Sequence, residues 1–390
     1  MQRKKVMVFC DYYLPGFKSG GGMWTVVNLV ERFSDRYDFY VVTRNHDGKS
    51  DTRPYENVVS GEWNSVGSAK VFYIDSSMLN MRKFAALVDE VAPDAVFLNS
   101  VFSTPSITFL RARKSGAISN VPVIVSPCGE LAAAALKLKA AKKKLFLTYA
   151  KVIGLYRDVI WRASFDADAN EIRNAIGNDI EILCAPDLPP RSILPDFDIS
   201  EKPSKQSGSV RFVFVSRVVR KKNLHYFLER LADFDEGDIT LDVVGPVEDA
   251  EYWKQCLSAA EKFPKNIRLN NVGAVSYQET LEYMKASHFF ALPTLNENFG
   301  YVFIEAMASG CGLLISDRTA WGDVDKQRAG WSLPLERPEL WTQTIRRCID
   351  MDNEEFVRMS TAARDLADTW LSDPASEDAT ARLLERAINH

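Results

Sequence analysis

Short apolar runs recur along the chain, separated by stretches whose apolar residues return every three or four positions. In the first half the runs are KVMVFC (5–10), FYVVT (39–43), KVFYI (70–74), AVFLN (95–99), VPVIVS (121–126) and EILCA (181–185). Their length and their β-branched and aromatic content predict buried strands. Between them, TVVNLVERF (25–33) and MRKFAALVDEVA (81–92) carry helical spacing. The segment PDLPPRSILPDFDISEKPSKQSG (186–208) breaks the alternation with proline, serine and charge, and predicts an interdomain linker. The pattern then restarts with strands VRFVFVS (210–216), ITLDVVG (239–245), IRLNNVG (267–273), HFFALP (288–293) and GLLIS (312–316). Helical patterns fall at 223–234, 249–262, 276–286 and 300–309.

Strands alternating with helices imply parallel sheets, and two such runs imply two Rossmann-like, doubly wound α/β domains, expected over 1–190 and 205–374. Ligands of such sheets sit outside the carboxyl ends of the strands, which predicts a site facing a cleft between the domains. The length, 390 residues, agrees with two cores rather than one.

Composition narrows the partners. Hydrophobic residues make up 46% and charged residues 26%, the balance of a soluble globular protein. Residues 1–200 carry 25 Lys/Arg against 22 Asp/Glu, and residues 201–390 carry 23 against 30. That is not a nucleic-acid-binding balance. Six scattered cysteines exclude a zinc site of the usual Cys spacing and suggest reduced thiols in a cytoplasmic protein. Asp11 and Pro15 end the first apolar run too early for a signal peptide, and no run is long enough to span a membrane.

Two stretches carry candidate chemistry. In NENFGYVFIEAMASG (296–310), Glu297 falls in the strand-to-helix loop, and Glu305 falls inside a helix that is apolar nearly all round. The loop amides and the helix amino end suit a phosphate, and a buried glutamate suits the two hydroxyls of a ribose. The alternative for Glu305 is an ion pair with Arg or Lys of a neighbouring helix. In VFVSRVVRKKNL (213–224), Arg217, Arg220, Lys221 and Lys222 follow a strand and precede a helix, a place for a diphosphate or simply a solvated basic loop. Together the two stretches describe a nucleotide-diphosphate site that uses no metal.

The same residues resemble the retaining glycosyltransferases of family 4, which have the GT-B fold. SRVVRKKNL is followed about 80 residues later by PTLNENFG-x4-EAMASG, so Arg217 and Lys222 match the family's Arg-x4-Lys element and Glu297 and Glu305 its Glu-x7-Glu element. YYLPGFKSGGGMWTVVNL (12–29), SPCGELAAAALKLKAAKKKLF (126–146) and WRASFDADANEIR (161–173, similar to the helix before the linker) extend the resemblance across the chain. It implies a metal-independent hexosyl-type transferase without a cofactor, taking a UDP-, GDP- or ADP-linked sugar. Arg217 and Lys222 would neutralise the diphosphate. Glu297, with the backbone near Asn298, Phe299, Gly300 and Tyr301, would position the sugar, and Glu305 would hold the ribose. Val275 would lie against the base, and Gly21 and Gly22 would approach the donor phosphates. The acceptor side would include Asn99, Cys128, Gly129 and Glu130, and the acceptor itself would be a glycan or lipid-linked molecule of bacterial-type surface polysaccharide or lipopolysaccharide synthesis. A helix at about 375–390 would pack back on the first domain. Two rivals remain open: an epimerase of the same fold, and a binding protein without turnover.

Cys128 departs from the basic residue that relatives often carry, and reads as a neutral pocket wall. His46, His225, His288 and His390 show no triad or metal spacing. The pairs Asp166–Asp168, Asp196–Asp198 and Asp233–Asp235 are expected on solvated surface. Over 136–161, an apolar stripe (138, 141, 145, 149, 152, 153, 156) is flanked by six lysines, Lys137, Lys139, Lys142, Lys143, Lys144 and Lys151. That face either lies on anionic lipid at the inner face of the cell membrane or packs into its own domain.

Overall fold

The computed structural model describes residues 3–17, 20–48, 52–137, 140–190, 198–297 and 299–389. The chain divides into two compact units, Met1–Arg191 with Pro374–His390, and Ser192–Asp373.

In the first unit, strands β1 (Lys4–Phe9), β2 (Tyr37–Arg44), β3 (Trp63–Val66), β4 (Ala69–Ile74), β5 (Ala95–Asn99), β6 (Val123–Ser126), β7 (Ile160–Ala163) and β8 (Glu181–Cys184) form one sheet. Its order is β3-β4-β2-β1-β5-β6-β7-β8. All neighbours are parallel except β3 against β4. Helices α1 (Gly21–Phe33), α2 (Met81–Val91), α3 (Thr104–Lys114), α4 (Ala133–Lys137), α5 (Ala140–Val152) and α6 (Asp166–Ile176) connect the strands. Strand side chains alternate between two cores. Met7, Phe9, Val96 and Leu98 join α2 and α3 on one face, while Val6, Val8, Ala95 and Phe97 join α1 on the other. The C-terminal helix Ala375–Ile388 belongs to the second of these cores through Leu383, Leu384 and Ala387.

In the second unit, β9 (Ser209–Val215), β10 (Asp238–Val244), β11 (Ile267–Gly273), β12 (Phe289–Leu292), β13 (Gly312–Ser316) and β14 (Gly330–Leu333) form an all-parallel sheet of order β11-β10-β9-β12-β13-β14. Helices α7 (Leu224–Leu231), α8 (Ala250–Ala260), α9 (Tyr277–Lys285), α10 (Tyr301–Ala308), α11 (Pro338–Asp350) and α12 (Asn353–Ser372) complete it. Caps set several helix starts: Asp249 accepts from Tyr252 N, and Ser276 with Glu279 forms a capping box.

Two expectations change. IWRA is a strand, β7, before the helix rather than part of it. Arg162, which disguises it, is buried and paired with Asp187 at 3.0 Å. Asp168 is not solvated: it is buried, accepts from Ser164 N at 2.8 Å, and burial pushes its carboxyl up. The boundary between the two units, Arg191/Ser192, falls within the 186–208 segment, whose described ends are each held by one unit. Its start is held by Asn28 and Arg32 donating to the carbonyls of Leu188, Pro189 and Pro190. At its other end Lys202 and Lys205 are buried, and Lys205 Nζ donates to the carbonyls of Gln206, Ile349 and Met351. Asp196 and residues 191–197 lie outside the described residues, and Asp166, Asp198, Asp233 and Asp235 are exposed.

Candidate functional site

In the second sheet β10 and β11 lie to one side of β9, and β12, β13 and β14 to the other. The strand order therefore reverses between β9 and β12, and the loops leaving their carboxyl ends flank the position where open α/β sheets bind ligands. The loop after β9 carries the basic turn, and the loop after β12 carries NENFG.

The two loops are stapled together. Leu295 N and Thr294 Oγ1 both donate to the Lys221 carbonyl, at 2.8 and 3.1 Å. Beyond the staple, Lys222 makes an ion pair with Glu297, and both side chains are largely buried. The turn Arg220–Lys222 is a 3-10 element ended by Asn223 in the left-handed region, which turns Lys222 inward. Gly245 lets the neighbouring loop pass, since a Cβ there would lie 2.1 Å from the Ser216 carbonyl oxygen.

The two arginines of the turn are not at this pair. Arg217 is about two-fifths exposed and meets Glu248 at 3.0 Å. Arg220 reaches Asp249 and Gln255 and lies over the Tyr252 ring, and Lys221 contributes its carbonyl. The basic run thus sends Lys222 inward while Arg217 and Arg220 turn to acids on the neighbouring loop.

The loop after β12 is built for a fixed backbone. Glu297 N donates to the Arg318 carbonyl at 2.9 Å, and Trp321 Nε1 donates to the Phe299 carbonyl at 2.9 Å. The Phe299 ring lies 4.8 Å from that of Trp370 and 5.7 Å from that of Trp321. Gly300 has φ 75°, and a Cβ there would strike the Phe303 ring at 2.5 Å and Glu297 Cγ at 2.9 Å. As N-cap of α10 it offers no side-chain hydrogen bond, so the first amides of the helix have no side-chain cap. Tyr301 opens the helix with its ring packed on Phe299, and Asn298 lies outside the described residues.

Glu305 faces inward among Phe303, Ile304, Ala306 and Met307. Among the described residues no cation pairs with it, and burial alone pushes its carboxyl up to about 7. The expected alternative, an ion pair to a neighbouring helix, is absent among those residues. Tyr277 is near enough for Glu305 to push its phenol further up, beyond the effect of burial. Val275 is half-buried in the turn between β11 and the Ser276 cap.

In the first sheet the strand order reverses between β1 and β5. Asn99 closes β5 there, with Nδ2 donating to the Gly22 carbonyl at 2.7 Å. Its Oδ1 accepts from Cys128 Sγ at 3.1 Å. Burial pushes the Cys128 thiol up to about 12, so it stays neutral. Glu130 ties two loops together, because Oε2 accepts from Ser100 Oγ and the amides of Val101 and Phe102. Gly129 sits between them at φ 72°, and Gly21 and Gly22 form the first turn of α1 behind Gly20 at φ 72°. A buried network that the linker reading concealed lies close by: Asp187 accepts from Arg162 Nη2 at 3.0 Å and Thr25 Oγ1 at 3.1 Å.

Sequence reasoning missed Trp321 and Trp370. An isolated tryptophan in the polar stretch DRTAWGDVD was a visible signal for Trp321, whereas Trp370 is one of many apolar residues on a helix.

Residues 196–366 match the model of the family described as glycosyl transferases group 1. A curated relative, the capsular polysaccharide biosynthesis glycosyltransferase CapH of Staphylococcus aureus, is 28% identical over 156 residues. That match covers 39% of this chain and 42% of the relative, so the chain spans less than half the relative's length. Sucrose-phosphate synthase from Thermosynechococcus elongatus is similar over 98% of this chain and 99% of its own, with a TM-score of 0.74 at 14% identity. Anabaena Alr3699/HepE in complex with UDP-glucose is similar over 98% and 99%, with a TM-score of 0.67 at 16% identity. WaaG, a glycosyltransferase involved in lipopolysaccharide biosynthesis, is similar over 96% and 98%, with a TM-score of 0.63 at 15% identity. The two Rossmann-like units with parallel sheets are those of the GT-B fold.

Proposed function

We propose that the protein transfers a hexosyl-type sugar from a nucleoside-diphosphate sugar to an acceptor hydroxyl. The observation that carries this is the inward pair Lys222–Glu297 where the strand order reverses, followed by a helix whose Glu305 is buried with no cation paired to it among the described residues. Lys222, with Arg217 drawn from Glu248, neutralises the diphosphate and the charge that grows as the sugar departs. No metal is required for that charge. Glu305 accepts the ribose hydroxyls, Val275 lies against the base, and Glu297 with the amides after it positions the sugar. The C–O bond to phosphate breaks as the acceptor oxygen attacks from the same face, and the departing phosphate oxygen takes the acceptor's proton, giving retention. The first unit holds the acceptor around Asn99 and Cys128, with Glu130 fixing the loop. CapH and WaaG are named for surface polysaccharides, which supports a glycan or glycolipid acceptor.

HepE bound to UDP and to UDP-glucose makes uridine nucleotides the first to test. In a thermal-shift series with UDP, GDP and ADP in EDTA, one of them stabilises the protein by about 2.7 kcal/mol at a hundredfold excess over Kd. If none does, the donor site is misassigned. In turnover assays, release of nucleoside diphosphate tracks added acceptor, whereas conversion of the donor without acceptor identifies an epimerase instead.

Trp321→Phe keeps the ring and removes the N–H that holds the Phe299 carbonyl. The expected result is a drop in Tm of about 2–4 °C with loss of one hydrogen bond. Turnover falls about tenfold, because a displaced loop spoils the alignment of Glu297. Unchanged turnover would show that the loop does not depend on that bond.

A further inference from the structure

Helix α5 carries apolar side chains on two opposite faces. Phe146, Leu147 and Ala150 turn towards the first unit's core, with the Phe146 ring 5.8 Å from that of Phe102. On the other side Leu145 is 71% exposed, Tyr149 44% and Val152 80%. Spacings of four and three place these three on one stripe. Seven further large apolar residues are exposed among the described residues, but they lie on different helices and loops, so only α5 concentrates them.

Charge surrounds this stripe. Lys142 borders it on one side and Lys144 and Lys151 on the other, all exposed, and α5 has no Asp or Glu. None of these three lysines forms an ion pair among the described residues. Beside the stripe an apolar groove of about 470 Å³ runs between α4 and α5, lined by Ala133, Leu136 and Leu147 and edged by Lys143, Lys144 and Lys151.

This charge pattern selects the occupant. Pairing of α5 with a second copy of itself would set lysine against lysine with no acid to offset them. Three exposed apolar side chains also form far too small a core for a stable protein interface, which needs roughly 800 Å² per partner. A bilayer with anionic headgroups meets both requirements, since apolar tips enter the interface while flexible lysine stems carry their amines to phosphates.

We propose that α5 seats the protein on an anionic bilayer, with Leu145, Tyr149 and Val152 in the interface and Lys142, Lys144 and Lys151 on headgroup phosphates. This stands independently of the donor site, which lies in the other unit. The test is co-sedimentation of the full chain with phosphatidylcholine vesicles, with and without about 30% phosphatidylglycerol. Binding is expected only to the anionic vesicles, weakening as salt is raised. Leu145→Glu/Val152→Glu and Lys142→Glu/Lys144→Glu each lower partitioning by about tenfold or more. Their Tm and any nucleotide-induced thermal shift stay as in the wild type. Tyr149→Trp adds a direct readout, because its emission moves to the blue on anionic vesicles if the face enters the interface. Equal binding to neutral and anionic vesicles, or no binding, overturns the proposal. So does a wild-type dimer in light scattering that the Leu145→Glu/Val152→Glu variant returns to monomer.

Discussion

Lys222→Met lowers kcat by about 10²- to 10³-fold, the cost of removing one preorganised group that stabilises developing charge. The same substitution also strands Glu297, whose side chain is only 14% exposed, and breaking a buried pair from one side costs up to about 3–5 kcal/mol of stability. These effects are separable. In Lys222→Met/Glu297→Gln neither charge remains, so the Tm returns towards the wild-type value while turnover stays low. Differential scanning calorimetry beside steady-state assays reads both. Recovery of turnover in the double variant would mean that the pair serves folding alone.

Glu305→Gln raises stability at alkaline pH and weakens nucleotide binding. The folded carboxyl titrates at about 7 against an ordinary 4.5, so between these values the folded state holds a proton that the unfolded state has lost. Unfolding free energy therefore falls as pH rises through that window, by about 3 kcal/mol at its upper end, and the penalty is absent below it. Glutamine carries no charge, so the variant's stability is flat over the window and exceeds the wild type at pH 8. A ribose diol donates to the ionised carboxylate, so wild-type nucleotide affinity rises from pH 6 to 8. The variant binds about tenfold more weakly at pH 8 and loses that pH dependence. A variant less stable at pH 8, or one that binds nucleotide as before, would remove Glu305 from the site.

Such opposed effects are expected where a buried charge is kept for a ligand rather than for the fold. Glu130 is the contrast. It is half-buried, with its carboxyl likewise pushed up by desolvation, but three donors already occupy one oxygen. A shifted glutamate is therefore not by itself a mark of ligand binding; Glu130 has its oxygen occupied, whereas burial alone shifts Glu305, which has no cation paired to it among the described residues.

The alternation of strands and helices, and with it the two doubly wound units, was legible from residue order, because burial of parallel strands demands continuous apolar runs. It failed where a charge enters a strand. Arg162 interrupts IWRA, and its burial is offset by Asp187, brought in from beyond β8, and by Ser126 Oγ, which accepts from Nη1. The candidate site divides along the same line. Residue order put the basic turn and Glu297 in loops after strands and Glu305 inside the helix that follows, and the resemblance singled out Arg217 and Lys222. It did not decide that Lys222 turns inward while Arg217 and Arg220 turn to Glu248 and Asp249, nor that Trp321 holds the Phe299 carbonyl. It also left open which face of α5 meets the core. Those outcomes depend on side chains distant in sequence competing for the same charge or the same buried space, a competition that only the tertiary arrangement resolves.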